Sequence, residues 1–155
     1  MAGKNYVGKA GHLAVMAEFL LRGYNVAMPE VDVGDDIFVV HDKEGRLWRI
    51  QVKTAIAKRR GYGFSGKFAV SWEQIQIEKQ PDLFYVFALR ADAMWEYVII
   101  PRAVLHQLQV TERIAPNVGN KVILTFRFSE TAVSCGRKNL RENWGNWSEW
   151  PMLSD

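Results

Sequence analysis

At 155 residues, 48% of them hydrophobic and 24% charged, the chain is long enough to bury a core of its own and too apolar to read as a disordered segment. A formal net charge of only +3 beside a sequence pI near 9.1 excludes a polycationic tail and makes any basic character local. One cysteine, Cys135, and three histidines far apart exclude an intramolecular disulfide and a structural zinc motif, and no stretch approaches the roughly 20 apolar residues that span a bilayer.

The N-terminus lacks the apolar core of a secretory signal, so the expectation is a cytoplasmic protein with no membrane partner. No repeat, linker or low-complexity stretch divides it, which predicts a single domain over residues 1–155. The first element is a helix from about Ala10 to Arg22, ended by Gly23. At 100° per residue Leu13, Met16, Ala17, Leu20 and Leu21 form an apolar stripe expected to pack on a sheet. His12 and Glu18 flank that stripe on opposite sides, roughly 9 Å apart along the axis. Asn25 to Met28 then reads as a short strand closed by Pro29.

The stretch from Val31 to Ala55 is the most informative. Ile37, Phe38, Val39 and Val40 form a strand beginning at Asp36, and a second strand runs from about Leu47 to Thr54. Asp42, Lys43, Glu44, Gly45 and Arg46 supply the turn between them. Side chains alternate faces along a strand, so Gln51 and Lys53 point the same way, and a closed hairpin brings Asp36 to them. A carboxylate and an amide oxygen are ligands that Mg²⁺ accepts, with water and phosphate oxygens completing its octahedron. A lysine beside them can orient the attacking water and stabilise charge on phosphorus. The plain alternative is a surface hairpin with scattered charges. Against it, Met28 to Asp42 carries Glu30, Asp32, Asp35, Asp36 and Asp42 with no Lys or Arg, whereas Lys43 to Lys67 carries eight basic residues and only Glu44 as an acid. Acid for a cation thus adjoins base for a polyanion.

Ala57 to Gly66 holds Lys58, Arg59 and Arg60, then three glycines interleaved with Tyr62 and Phe64. Mobile glycines, phosphate-seeking cations and rings able to stack on bases suit a nucleic-acid-binding loop, the alternative being a solvated hairpin tip. Phe68 to Ser71 reads as a returning strand. Asp82 to Arg90 is nearly continuous apolar β-former, the pattern of a strand buried on both faces, and Trp95 to Ile100 pairs with it. Pro101 opens a helix from Arg102 to about Leu108. Val122, Leu124, Phe126 and Phe128 alternate with Lys121, Ile123, Thr125 and Arg127 as a half-buried strand. In the tail, Trp144, Trp147 and Trp150 share a face if the segment is helical, where they cover the sheet, form a homodimer contact or stack on nucleic acid.

Gly34, Asp35 and Asp36, followed by a strand, a short hairpin and Gln51, Val52 and Lys53, resemble the active-site hairpin of the PD-(D/E)XK nuclease superfamily. The pattern is closest to small members with Gln in place of the middle acid, such as the cyanobacterial intron-encoded homing endonuclease type, and more distant from archaeal Holliday-junction resolvases. The resemblance covers about the first hundred residues. It implies a restriction-endonuclease-like α/β core, a central mixed β-sheet flanked by helices. It also implies a Mg²⁺-dependent endonuclease, with Mn²⁺ as a substitute, acting on double-stranded DNA. Asp36, Gln51 and the main-chain carbonyl of Val52 are then metal ligands, and Lys53 is the water-orienting group. A further carboxylate is expected in the first helix. The position it points to is His12, a departure, so either His12 stands in or Glu18 supplies the acid. The rival expectation is a nucleic-acid-binding or assembly module that keeps the fold without turnover. A third is an interaction protein using the Trp-rich tail.

Overall fold

The computed structural model describes residues 2–147. The chain runs through α1 (Lys4–Leu21), β1 (Asn25–Ala27), β2 (Ile37–His41), β3 (Arg46–Ile56), β4 (Lys58–Arg60), β5 (Gly63–Ser71) and α2 (Trp72–Gln76). It continues through β6 (Leu83–Ala91), β7 (Met94–Pro101), α3 (Arg102–Glu112), β8 (Asn117–Val118), β9 (Lys121–Phe128), β10 (Val133–Cys135) and β11 (Lys138–Asn139). A 3₁₀ turn at Arg141–Asn143 closes the series. Among the described residues no helix is long and apolar enough to cross a membrane.

The fold is α/β. The central sheet has the order β1-β2-β3-β6-β7 and is mixed, because β3 and β6 run parallel while every other neighbouring pair is antiparallel. A parallel pair needs a crossover, and here it consists of β4, β5 and α2. β6 explains its own composition. Phe84, Val86 and Ala88 face α1, while Leu83, Tyr85, Phe87 and Leu89 face the opposite core, so both sides of the strand are dry.

The central mixed sheet is flanked by helices, as expected, with α1 on one face. On the face away from α1 the sheet is covered by α3 together with a second, antiparallel sheet of order β11-β10-β9-β5-β4, with β8 on β9. Residues 57–66 form a hairpin rather than a mobile loop, the alternative reading, since β5 begins at Gly63 and pairs with β4 and β9. Gly61 lies in the hairpin turn, and Gly63 and Gly66 are strand glycines. A Cβ on Gly63 would stand 2.2 Å from the Phe128 carbonyl oxygen, and one on Gly66 2.3 Å from the Leu89 side chain.

α1 also differs from its predicted form. It starts at Lys4, and its buried residues are Gly11, Val15 and Phe19, while Leu13, Leu20 and Leu21 are exposed. The helix is apolar nearly all round, so periodicity does not select the face. Close approach does, because Gly11 lets the helix backbone sit on Thr54 of β3, where an added Cβ would come within 2.1 Å of Thr54 Oγ1. Gly23 ends the helix in the left-handed region at φ +85°, as expected.

Among the described residues the tail is not helical beyond the 3₁₀ turn. Trp144 donates its indole N–H to Glu96 at 2.7 Å and packs edge-on against Phe128. Trp147 is buried between Phe19 and Tyr97, with the Arg22 guanidinium over its ring at 4.9 Å. Trp147 is buried and Trp144 half-buried against the core, so these two rings follow the first of the three readings of the tail, covering the sheet. Trp150 lies outside the described residues.

Gly11→Ala is expected to lower the urea midpoint. Overpacking against Thr54 costs about 1–3 kcal/mol and outweighs the roughly 1 kcal/mol gained in helix propensity. Thr54→Ala in the same chain should recover part of the loss, which a double-mutant cycle of urea melts will measure.

Candidate active site

β2 stops pairing at Ile37, opposite Ile50, but β3 continues to Ile56 with, among the described residues, only β6 paired beside it. Beyond Ile50 the other edge of β3 therefore has no strand to satisfy it. Asp36 fills the gap. Its own N–H donates to the Ile50 carbonyl at 2.7 Å, and its Oδ2 accepts the Val52 N–H at 2.8 Å, replacing the ladder bond a longer β2 would make. The same oxygen accepts from Gln51 Nε2 at 2.7 Å, and that nitrogen lies 3.4 Å from the Val52 carbonyl oxygen. Asp36, Gln51 and the Val52 carbonyl thus meet at one place on a strand edge.

The turn that delivers Asp36 is held by its neighbours. Asp35 is fully buried and receives Arg49 Nη1 at 2.6 Å and Lys79 Nζ at 3.0 Å, and Lys79 also donates to the Val33 carbonyl. Asp32 accepts the Gly34 N–H at 3.0 Å. Gly34 adopts φ +96°, and its carbonyl accepts Gln74 Nε2 at 2.8 Å, where an added Cβ would stand 2.3 Å from that nitrogen. Gln74 in turn accepts the Tyr85 hydroxyl at 2.8 Å and presents Nε2 at 3.5 Å to Gln51 Oε1.

Lys53 shares the Gln51 face of β3, and among the described residues its ammonium makes no hydrogen bond or ion pair. Burial lowers its pKa below 10.5, opposed by the Asp36 charge. His12 follows Gly11, the residue against Thr54, and so lies beside the same edge. Its Nε2 is buried without a hydrogen-bond partner among the described residues. Burial lowers its pKa below 6.5, opposed by Asp36, which keeps the imidazole neutral at pH 7. Burial raises the Asp36 pKa above 3.8, against the pull of the Val52 N–H, His12 and Lys53. The three groups feel one another's charge.

Glu18 does not join them. It pairs with Arg22 one turn on and acts electrostatically on Tyr97, roughly 9 Å along the helix from His12. The helix therefore offers the site an imidazole rather than a carboxylate. In the basic segment, Lys58, Arg60 and Tyr62 are exposed, Arg59 pairs with Asp92, and Phe64 stacks on Phe128 at 5.0 Å, which takes that ring away from any base.

Sequence reasoning missed Gln74, Tyr85 and the Asp35 clamp. A signal for the first was present: Ser71-Trp72-Glu73-Gln74 has the S-x-x-Q form of a capping box, and Ser71 Oγ accepts the Gln74 N–H at 3.2 Å to start α2.

Among the described residues no group of three or more His, Cys, Asp or Glu is placed to hold a metal ion. One carboxylate with neutral oxygens instead fits a hard divalent cation that keeps several waters and takes substrate phosphate oxygens. Asp36 Oδ1 accepts no hydrogen bond among the described residues. Gln51 would ligate through Oε1, which a half-turn of its amide presents, a torsion with a broad two-fold profile.

No family model and no curated protein matches the chain. The solved structure of a bacterial homing endonuclease, I-Ssp6803I, is similar over 97% of this chain and 94% of that one, with a TM-score of 0.58 at 16% sequence identity. The likeness is one of fold.

Because the folded state raises the Asp36 pKa, native protein holds more protons than unfolded protein just above pH 3.8, and stability falls as the pH rises through the folded value. In metal-free buffer Asp36→Asn should therefore melt higher than wild type at pH 7. The gap should close below pH 3.8, as thermal melts at the two pH values will show.

Proposed function

We propose that the protein is a metal-dependent endonuclease of the PD-(D/E)XK type that hydrolyses phosphodiester bonds in double-stranded DNA. The observation that carries the reading is the convergence of Asp36, Gln51, the Val52 carbonyl and Lys53 on the unpaired edge of β3. Similarity of fold to a bacterial homing endonuclease supports it.

Asp36, Gln51 and the Val52 carbonyl would hold Mg²⁺ or Mn²⁺. When bound, the metal supplies Lewis-acid polarisation of the phosphate and an acidified water. Water oxygen attacks phosphorus, the bond to the sugar oxygen breaks, and the leaving oxygen takes a proton. Lys53 has its three donors free among the described residues and sits where solvation is poor, so it can hold the attacking water and stabilise charge gathering on the phosphate oxygens. Gln74, fixed by Tyr85 and Gly34, lies beside the Gln51 amide, and its 3.5 Å contact to Gln51 Oε1 would be given up when that amide turns to the metal. His12 occupies the helix position beside Asp36, and Glu18 is assigned to its surface pair with Arg22. One such site cuts one strand, so simultaneous cleavage of both requires two copies of the chain.

A second reading, a DNA-binding module without turnover, draws on one observation: the helix gives the site no carboxylate. Relaxation of supercoiled plasmid with Mg²⁺ or Mn²⁺ separates the two. Wild type should nick, and Asp36→Ala and Lys53→Ala should each lose about 10²–10³-fold or more. Equal activity of wild type and Asp36→Ala would overturn the enzyme reading. In the same assay Glu18→Gln should stay near wild type, and His12→Glu should raise Mg²⁺-supported cleavage by restoring a carboxylate where Mg²⁺ prefers oxygen.

A further inference from the structure

Residues paired directly across a ladder share a face. In the second sheet Lys58, Ser65, Arg127 and Ser134 form one such row across β4, β5, β9 and β10. Arg60 joins it through a 3.1 Å hydrogen bond from Nε to Ser65 Oγ. Alternation along β5 and β9 adds the rows Lys67 with Thr125, Ala69 with Ile123 and Ser71 with Lys121. The opposite face of the same strands holds Phe68, Val70, Val122, Leu124 and Phe126, all in the core, so the first set looks outward.

This outward face carries five cations, Lys58, Arg60, Lys67, Lys121 and Arg127, all exposed, and the strands of the second sheet contain no Asp or Glu. Some surface cations elsewhere have acidic partners: Arg22 has Glu18, Arg59 has Asp92 and Lys138 has Glu112. None of the five is within ion-pair distance of a carboxylate among the described residues. Such uncompensated charge on one face of a sheet is complementary to a regular polyanion. From Lys121 to Arg127 the face extends about 20 Å along β9, an axial length over which one strand of a duplex carries about six phosphates. The side chains between the cations are mostly small: Ser65, Ala69, Ser71, Thr125 and Ser134. They let a backbone approach closely and offer hydroxyl donors.

We infer that this outer face of the second sheet is the docking surface for the phosphate backbone of double-stranded DNA, leading the duplex toward the edge of β3. The inference rests on the reading of the protein as a DNA nuclease and names the surface that reading lacks. Two observations join the face to the site. Ser71, paired with Lys121, caps the helix that carries Gln74, and Lys121 is close enough to Lys53 to act on its charge. The phosphate-binding segment thereby shifts from a loop at Lys58, Arg59 and Arg60 to a sheet face that keeps Lys58 and Arg60, drops Arg59 and adds three cations.

Binding of a fluorescent duplex by the Asp36→Asn protein, followed by anisotropy over a KCl series, tests it without cleavage. Adding Lys67→Gln and Arg127→Gln should flatten the log-log salt slope by about 1.8, at about 0.9 per lost phosphate contact. Lys138→Gln, whose ammonium is already paired with Glu112, should leave the slope unchanged. If the double substitution impairs folding in thermal melts, Lys58→Gln with Lys121→Gln gives the same readout. Salt-dependent binding with an unaltered slope in these variants would overturn the docking surface and leave the nuclease reading intact. Absence of any duplex binding by the parent protein would contradict the DNA reading and the surface together.

Discussion

A strand ends one residue early, and a carboxylate takes over its hydrogen bonding. Asp36 accepts the Val52 N–H where β2 should have continued, and from that substitution the rest of the candidate site follows. The side chain must reach back to the strand edge, so the chain before it must turn tightly. Asp35, Gly34 and Asp32 make and lock that turn through Arg49, Lys79, Gln74 and a local side-chain bond. The carbonyl of Val52 points to the same edge as its N–H, which is why an acid, an amide and a main-chain oxygen meet there. Helix α1 closes the other side because Gly11 carries no side chain to keep it from Thr54.

The cost of this arrangement is visible in the charges. Burial pushes Asp36, Lys53 and His12 each toward its neutral form, opposed by the Val52 N–H on Asp36 and by the attraction of the charges for one another. A fold optimised for stability would separate or neutralise such groups, so their retention at an unpaired strand edge supports a catalytic assignment. Asp35 makes the contrast. It is more deeply buried than its neighbour but meets two cations at hydrogen-bond distance, and that carboxylate is spent on architecture.

Much of this was legible in the sequence, for physical reasons that differ by element. The hairpin and β6 follow from alternation and from a run too apolar for a half-exposed strand, and Asp36, Gln51 and Lys53 follow from the two-residue period. What composition cannot show is which of several apolar faces a helix buries. In α1 the decisive residue was the smallest, Gly11, whereas the large side chains Leu13, Leu20 and Leu21 suggested another face. The choice between His12 and Glu18 hung on that contact. The glycines of residues 61–66 read as a flexible loop because a strand glycine and a loop glycine look alike until the neighbouring backbone is in place. A helix as short as α2 leaves no periodic trace beyond its cap, so Gln74 stayed hidden.

The central claim is that the unpaired edge of β3 is a cation site built from Asp36, Gln51 and Val52. Anomalous diffraction from crystals soaked in Mn²⁺ addresses it directly, without depending on substrate or turnover. The account predicts a peak in coordinating contact with the Asp36 carboxylate and the Val52 carbonyl in wild type and its loss in Asp36→Ala. A Mn²⁺ peak elsewhere on the molecule, with none at this edge under saturating metal, would contradict it.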